Sequence, residues 1–246
     1  MLLAKSATGE RIQPAPGGRA LCGQCGGEVL AKCGQYVSWH WAHRVRECDS
    51  WAEGETEWHL SWKRQVVETA CEVVLGDHRA DIRTPEGLVI ELQHSPLDPR
   101  VIAEREAFYG NMVWLFDARS FELALYPSAA EVSFVWRRPR KHLLAVQKPM
   151  YWDLGDGFAL YVKALSPDSP LGGFGGKGVL LDSACWASQI FGNSARPGLH
   201  EAARARSPRV AECLTRTRAL LLETPSLGLD GAVKSAMVQM KASELT

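Results

Sequence analysis

The chain contains 246 residues, of which 46% are hydrophobic and 23% charged, and its 28 basic side chains balance its 28 acidic ones. This composition is typical of a globular protein and excludes a disordered chain or a collagen-like fibre. No apolar run approaches the roughly 18 to 20 residues of a membrane-spanning helix, and the sequence does not open on a basic segment followed by an apolar run. We therefore predict a cytoplasmic protein that makes no membrane contact.

The balanced net charge conceals an acidic segment next to a basic one. Residues 51–130 carry fourteen acidic and seven basic side chains, whereas residues 131–150 carry five basic and one acidic. Carboxylates within an apolar segment suit a divalent metal ion, and a basic run can hold the phosphates of a nucleic acid. The basic run predicts a DNA contact, with a solvated strand end as the alternative. The residues concerned are Arg137, Arg138, Arg140 and Lys141.

Four of the seven cysteines lie between residues 22 and 48. An odd number of cysteines without a secretion signal disfavours a disulfide framework, whereas the glycine-rich turn around the first two would bring two thiolates together. Paired sulfur and imidazole ligands at such spacing can complete a tetrahedral site, so residues 1–50 predict a structural zinc ion. Its predicted ligands are Cys22, Cys25, His40 and His43. Cys33 or Cys48 could replace one histidine, and unliganded thiols with surface histidines are the alternative.

The apolar spacing predicts a helix over residues 53–71. On a helical wheel Glu55 lies in the middle of the stripe that faces the protein, whereas Glu57 faces solvent. A buried carboxylate needs a partner because an unpaired charge in the interior is costly. We therefore expect Glu55 to be balanced by Lys63, by His59 or by a bound metal ion.

Three antiparallel strands are predicted over residues 71–75, 79–83 and 88–93. The turn at residues 84–87 has Pro and Gly where a three-residue hairpin loop requires them, and this fixes the register of the two flanking strands. In that register Asp81 lies directly opposite Glu91. Two opposed carboxylates repel each other, so we expect a divalent cation such as Mg²⁺ or Mn²⁺ between them.

Beyond the hairpin the sequence predicts a helix from Asp98 to about Tyr109 and a buried strand over residues 112–117. The order helix, three strands, helix, strand brings four side chains toward one cleft, with Ser95 just beyond: Glu55, Asp81, Glu91 and Gln93. In the C-terminal half we predict a loop over residues 166–178, a helix over 207–222, and strands over 123–126, 132–137, 150–154 and 158–165.

Asp81 and, ten residues later, Glu91-Leu-Gln93 resemble the PD-(D/E)XK nuclease signature, with Gln in place of the usual Lys. A longer pattern over residues 1–120 is similar to the competence CoiA-like family. Each of its motifs is short, but six in one order are hard to obtain by accident. The six are Cys22-x-x-Cys25, His40-Trp-Ala-His43, Glu55-Thr-x-x-His59-x-x-x-Lys63, Arg79-Ala-Asp81, Ile90-Glu-Leu-Gln93-x-Ser95 and Arg105-x-x-x-Tyr109.

The resemblance implies a mixed α/β, restriction-endonuclease-like fold and a role in intracellular DNA processing of the kind linked to natural transformation and recombination. With the sequence pattern it implies three regions: a zinc-binding segment at 1–50, an αβββαβ nuclease-like core at 51–128 and an α+β region of unknown role at 129–246. Asp81 and Glu91 would be the metal ligands, Glu55 the helical acid that completes the site or holds a water, and Gln93 the replacement for lysine. Supporting residues would be His59, Lys63, Ser95, Arg105 and Tyr109.

Two functions follow as expectations. The first is a Mg²⁺- or Mn²⁺-dependent nuclease that hydrolyses DNA, and the second is a catalytically inactive DNA-binding accessory protein that keeps the nuclease fold. A lysine can stabilise charge on the attacked phosphate, whereas Gln93 can only orient a water by hydrogen bonds. A zinc module that recruits other proteins is a third alternative. Single-stranded, double-stranded or branched DNA and either an endonucleolytic or an exonucleolytic cut are compatible with the sequence.

Overall fold

The computed structural model describes residues 1–44, 48–52, 54–127, 131–197 and 199. These residues form a mixed α/β fold in which strands far outnumber helices. They divide into two compact units: the first contains Met1–Leu92 and Phe191–Arg196, and the second contains Gln93–Ile190 with residues 197 and 199. Within this described part, no helix is both long and apolar enough to cross a membrane. The helix predicted over 207–222 lies outside the described residues.

The first unit opens with a five-stranded antiparallel sheet in the order β2-β1-β3-β4-β5. Its strands are β1 Ala4–Lys5, β2 Arg11–Ile12, β3 Arg19–Leu21, β4 Glu28–Lys32 and β5 His40–His43. Val29 and Trp41 lie at the centre of its buried face. Strands this short show little alternation of apolar and polar residues, which is why the sequence pattern did not predict the sheet.

Helix α1 is Glu57–Lys63, much shorter than the helix predicted over 53–71. The chain leaves the helical path after Lys63, and Val66 then forms a β-bridge with Ala195. This pairing with a segment far away in sequence takes the backbone hydrogen bonds that a longer helix would have used. The prediction is therefore wrong beyond Lys63, because a tertiary contact overrides the local apolar pattern. It is also wrong over residues 54–56, because the helix begins after its N-cap at Thr56.

A short 3₁₀ turn leads from α1 into three antiparallel strands: β6 Cys71–Leu75, β7 His78–Arg83 and β8 Val89–Gln93. The hairpin between β7 and β8 has the predicted register, because the N–H of Thr84 donates to the carbonyl of Leu88 at 2.9 Å. Gly87 has a φ of 86°, the left-handed conformation that the predicted loop requires. Continuing this register toward the strand centres places Asp81 opposite Glu91.

The second unit contains α2, Pro99–Tyr109, and six strands in the order β10-β11-β14-β13-β12-β9. The carboxylate of Asp98 accepts from the N–H of Arg100 at 2.8 Å, so the predicted start of α2 is confirmed. Only the neighbours β9 and β12 are parallel. The strands are β9 Met112–Asp117, β10 Leu123–Pro127, β11 Val132–Trp136, β12 Met150–Gly155, β13 Phe158–Ser166 and β14 Gly175–Asp182. From α1 to β9 the elements follow the predicted order.

Strand β14 begins inside the loop predicted over residues 166–178. A Cβ at Gly175 would overlap the backbone carbonyl of Phe134, and one at Gly176 would overlap that of Ala164. Glycine clusters usually indicate turns, whereas here the absence of side chains lets neighbouring strands approach closely. Helix α3, Ser183–Phe191, follows β14 and was not predicted.

Candidate functional site

Three thiols and one imidazole converge in the first unit. The ligand atoms of Cys22, Cys25, His43 and Cys48 all lie within 4.8 Å of one another. The sulfurs of Cys22 and Cys48 are 3.8 Å apart, and the sulfur of Cys25 is 3.4 Å from Nε2 of His43. Tetrahedral zinc, with bonds of about 2.3 Å to sulfur and about 2.0 Å to nitrogen, would hold two sulfurs about 3.8 Å apart and sulfur and nitrogen about 3.5 Å apart. The cluster can therefore hold a metal ion such as zinc.

A tight turn between β3 and β4 presents two of these ligands. The N–H of Cys22 donates to the carbonyl of Gly27 at 2.8 Å, and Gly26 has a φ of 71°, as the predicted turn requires. The N–H groups of Gln24 and Gly27 donate to the sulfurs of Cys22 and Cys25, at 3.4 and 3.3 Å. The N–H donor directed at the sulfur of Cys25 favours its thiolate, which is the form that binds a metal.

Cys48 takes the place that the sequence pattern gave to His40. Both histidines of the motif lie on β5, where side chains alternate between faces, so residues three positions apart point to opposite sides. His43 joins the cluster, whereas Nδ1 of His40 lies 2.7 Å from the carbonyl oxygen of Ser38. The predicted ligand set is thus corrected at one position, and Cys48 is one of the two cysteines that the sequence offered as a replacement.

The segment that carries Cys48 is fixed by the next residue, the buried Asp49. Its carboxylate lies 2.9 Å from Nδ1 of His78 and accepts from the N–H of Arg79 at 2.8 Å, both at the start of β7. Burial would raise the pKa of Asp49, but His78 and backbone N–H groups lower it below its usual value. A charged Asp49 thus connects the fourth ligand to the β6–β8 strands.

The crowding of the three thiols favours a cation between them. Burial and the neighbouring thiols raise the pKa of Cys48 to about 12. Burial also opposes ionisation of Cys25, but the N–H of Gly27 and the neighbouring thiols lower its pKa. Because like charges this close repel, three thiolates are not stable together without a compensating positive charge. The donor set therefore fits a metal ion better than three free thiols.

A second group of charged side chains surrounds Lys63, which is only 2% exposed. Its Nζ lies 2.8 Å from Oε1 of Glu55, 3.1 Å from Oε1 of Glu72 and 2.9 Å from Oδ1 of Asp81. Glu55 also lies 3.3 Å from the amino nitrogen of Met1. Of the three partners expected for the inward-facing Glu55, the structure provides Lys63.

The members of this group hold one another in the charged state. Burial would raise the pKa of Glu55, but Lys63 and the amino group of Met1 lower it to about 2. Burial also disfavours the charged form of Lys63, yet the three carboxylates raise its pKa well above the usual value. The same lysine lowers the pKa values of Asp81 and Glu72 against the effect of burial. At neutral pH three charged carboxylates therefore face two cations, Lys63 and the amino group of Met1.

Glu72 is the carboxylate that sequence reasoning missed. It lies within the apolar run of β6 and has a φ of 50°, a conformation that costs a non-glycine residue roughly 1–3 kcal/mol. Its carboxylate accepts from the N–H of Leu2 at 2.7 Å and from that of Leu3 at 3.0 Å, in addition to its contact with Lys63. These contacts stabilise the carboxylate of Glu72 in its buried position. The one signal in the sequence is an acid within an apolar strand.

Asp81 and Glu91 lie opposite each other in the β7–β8 hairpin, and each carboxylate accepts a backbone hydrogen bond. Oδ2 of Asp81 accepts from the N–H of Leu92 at 3.0 Å, and Oε1 of Glu91 accepts from the N–H of Asp81 at 3.4 Å. Among the residues that the structure describes, the Cys/His cluster is the only gathering of three or more potential metal ligands. Lys63 contacts both Glu55 and Asp81, so an ammonium lies where the three predicted acids were expected to hold a metal ion, and Asp81 and Glu91 are the two acids that adjoin in the hairpin.

The other predicted site residues are divided between the units. In the first unit, His59 is buried, with Nε2 3.2 Å from the carbonyl oxygen of Leu92. In the second unit, the side-chain amide of Gln93 donates to the carbonyl of Ser95 at 2.7 Å. Arg105 is buried and Tyr109 half-buried on α2. Gln93 is thus engaged with the backbone two residues beyond it.

The predicted nucleic-acid-binding run has two kinds of basic side chain. Arg137, Arg138 and Lys141 are exposed, and the guanidinium of Arg138 lies 3.2 Å from Glu122. Arg140 instead donates to the carbonyl of His94 at 2.8 Å and lies over the ring of Phe121, 4.8 Å from its centroid. The three exposed side chains are available to a ligand, whereas Arg140 stabilises the second unit through its contacts with His94 and Phe121.

No family model, no curated protein and no solved structure matches this chain. The described residues define a mixed α/β protein with a Cys₃His cluster near the start of the sequence, able to hold a metal ion such as zinc. The same unit contains a buried group of three carboxylates around Lys63.

Proposed function

We propose that the protein is a Mg²⁺- or Mn²⁺-dependent nuclease that hydrolyses phosphodiester bonds of DNA. We place it with the CoiA-like group of PD-(D/E)XK nucleases, with a restriction-endonuclease-like αβββαβ core and an N-terminal structural zinc site. The observation that carries the proposal is the contact of 2.9 Å between Nζ of Lys63 and Oδ1 of Asp81. It supports a site in which two hairpin acids are combined with a cation, as in the signature that the sequence resembles.

Lys63 makes up for the glutamine at the signature's lysine position. Gln93 carries no charge, and its amide is bonded to the carbonyl of Ser95. In this chain the cation comes from α1, where Lys63 lies beside Asp81 and Glu55. A fixed ammonium stabilises negative charge as it develops on an attacked phosphate. We assign this role to Lys63, and Glu55 acts through it as a positioning residue.

Asp81 and Glu91 would hold the Mg²⁺ or Mn²⁺ ion. Mg²⁺ binds oxygen ligands, keeps several of its waters and needs only one or two carboxylates, so this pair fits the ion without a third acid. When bound, the ion supplies Lewis-acid stabilisation of the phosphate and favours ionisation of water. The Asp81 side chain is 21% exposed, which gives the pair access to solvent, while the N–H of Asp81 holds the buried Glu91 in place.

The zinc ion would have a structural role. Structural zinc sites are closed by four protein ligands, whereas catalytic ones keep a position for water or substrate. The cluster supplies four ligands, and Cys48 is followed by Asp49, which is bonded to β7. Zinc would therefore connect the N-terminal sheet, through Cys48 and Asp49, to β7, the strand that carries Asp81.

We expect Asp81→Ala and Glu91→Gln each to lower DNA cleavage about a hundredfold or more with Mg²⁺ or Mn²⁺, because each removes a metal ligand. Lys63 keeps two carboxylate partners in Asp81→Ala, so the fold should survive. Initial rates on linear, circular, single-stranded and branched DNA, with EDTA as the blank, measure the effect. Glu57→Ala is the matched control, because Glu57 is exposed and pairs with Arg64 on the far side of α1.

A DNA-binding accessory protein without cleavage activity is the second candidate. It is favoured by the burial of Lys63 among three carboxylates. The ammonium of Lys63 already balances part of their negative charge, so a metal ion is not needed for that purpose. The two candidates differ in their response to metal. If wild-type protein binds DNA but cuts no substrate, and Mg²⁺ and Mn²⁺ leave its melting temperature unchanged, the accessory function replaces the nuclease.

The exposed basic run provides a separate test of DNA binding. Converting Arg137 and Arg138 to Ala should weaken binding and flatten its dependence on salt, because each phosphate contact releases a counterion. Fluorescence anisotropy over a range of salt concentrations measures the slope. The substitution spares Arg140, whose contacts lie within the fold. An unchanged slope would identify the run as a solvated strand end.

A further inference from the structure

A cavity of about 270 Å³ lies wholly within the first unit, and its wall includes Glu72 of the group around Lys63. The N-terminal sheet and strands β6 and β7 both contribute to its wall. Its polar and charged lining residues are Lys5, Arg11, Gln24, Thr69, Glu72 and Arg79. Three of these six are cationic and one is anionic.

Arg79 lines this cavity and carries a hydrogen-bond donor without a partner among the described residues. Its Nη1 atom is buried and has no hydrogen-bond partner within the described part of the chain. An unsatisfied donor on a buried charged group is costly, so native structures give such groups an acceptor. An anion in the cavity would stabilise this guanidinium by facing its charge.

The charges of the lining leave a positive excess. Arg11 donates from its guanidinium to the backbone carbonyls of Glu68 and Cys71, which carry no net charge. Lys5 is exposed. The one lining carboxylate, Glu72, offsets only one of the three lining cations, and it shares Lys63 with Glu55 and Asp81. Water would leave this positive excess in place, whereas an anion would balance it.

We propose that this cavity binds a phosphate group. Guanidinium donors form strong charge-assisted hydrogen bonds with phosphate oxygens, and a tetrahedral phosphate can face several cations at once. A phosphate monoester, with its higher charge, suits three lining cations better than a diester within a strand. The monoester can be free phosphate or the phosphorylated end of a DNA strand. The second source rests on the proposed action on DNA, whereas the first does not.

The test uses the full-length zinc-loaded protein without Mg²⁺ or Mn²⁺, so that cleavage plays no part. Inorganic phosphate should raise the melting temperature with a saturating dependence on concentration. Arg79→Lys should weaken phosphate binding about tenfold, because it keeps the charge and removes a charge-assisted donor. Lys5→Met should weaken it at least about threefold. Arg19→Met is the control, because Arg19 is an exposed cation of the same sheet, paired with Glu28 and outside the cavity.

Binding of short oligonucleotides separates the two sources. If a 5′- or 3′-phosphorylated strand binds more tightly than its hydroxyl counterpart, and Lys5→Met loses this difference, the cavity is a site for strand ends. If the two strands bind equally, free phosphate is the ligand. If phosphate does not raise the melting temperature, or if Arg19→Met weakens binding as much as Lys5→Met, the cavity holds water only and the proposal fails. Should Arg79→Lys not fold, Lys5→Met decides. Cleavage of circular DNA by Lys5→Met reports on the nuclease independently.

Discussion

Replacing Lys63 with methionine is expected to destabilise the protein by roughly 3–5 kcal/mol or more, the cost of leaving a buried charge without its partner. The substitution removes the ammonium that contacts Glu55, Glu72 and Asp81 and leaves their carboxylates buried together. Methionine keeps most of the unbranched apolar chain, so the loss of charge is separated from the loss of packing. The free energy of unfolding in urea at neutral pH measures the effect.

Arg64→Met, at the next residue, is the matched control. Arg64 is exposed and pairs with Glu57, so its loss should change the free energy of unfolding by no more than about 1 kcal/mol. Adding Glu72→Gln to Lys63→Met should recover part of the stability, because it removes one uncompensated charge. If Lys63→Met is no more destabilising than the control, the buried network does not hold this fold together. Should Lys63→Met not accumulate, the double variant supplies the measurement.

Lys63 has two roles in this account, and they call for different tests. Its three ion pairs make it structural, and its contact with Asp81 makes it a candidate to stabilise charge on a phosphate. Lost cleavage in Lys63→Met would therefore reflect either role. Asp81→Ala and Glu91→Gln isolate the chemistry because they leave Lys63 with Glu55 and Glu72. If these two variants fold well but cleave DNA poorly, the carboxylates of the hairpin take part in catalysis.

The parts of the structure that were predicted follow from short-range rules. The Pro and Gly of the 84–87 turn allow only a few hairpin geometries, so they determine which residues of β7 and β8 lie opposite each other. Asp98 before Pro99 is a strong helix start because it caps the first free N–H groups. Each of these two rules needs only neighbouring residues. The side chain of Glu55 is buried as predicted, but Glu55 precedes the N-cap of α1, so its contact with Lys63 and not the helical wheel accounts for its position.

The parts that were not predicted depend on partners far away in sequence. Glu72 is buried because the N–H groups of Leu2 and Leu3 reach its carboxylate, seventy and sixty-nine residues away in the chain. The end of α1 is set by pairing with Ala195. His40 was chosen as a ligand by its spacing, and the strand conformation of β5 then turned it away from His43. Spacing alone does not reveal whether a segment is a strand.

The metal cluster gives the second large expected effect. Cys48→Ser should reduce the zinc content of the purified protein well below about one ion per chain, because it removes one of the four ligands. The melting temperature should fall as well, since the free energy of zinc binding is coupled to folding. A strong chelator should produce the same fall in the wild-type protein. Elemental analysis and thermal unfolding of protein purified without added metal are the measurements.

His40→Ala and Cys33→Ser are the controls that distinguish the cluster from the sequence motif. His40 belongs to the His-x-x-His motif but lies near Ser38, and Cys33 is a cysteine of the same segment outside the cluster. Both variants should keep their zinc. If His40→Ala loses zinc and Cys48→Ser retains it, the ligand set is the one indicated by spacing, and β5 cannot have the strand conformation that separates His40 from His43. If well-folded wild-type protein contains no zinc, the four side chains are close for another reason, and the N-terminal sheet is stable without a metal.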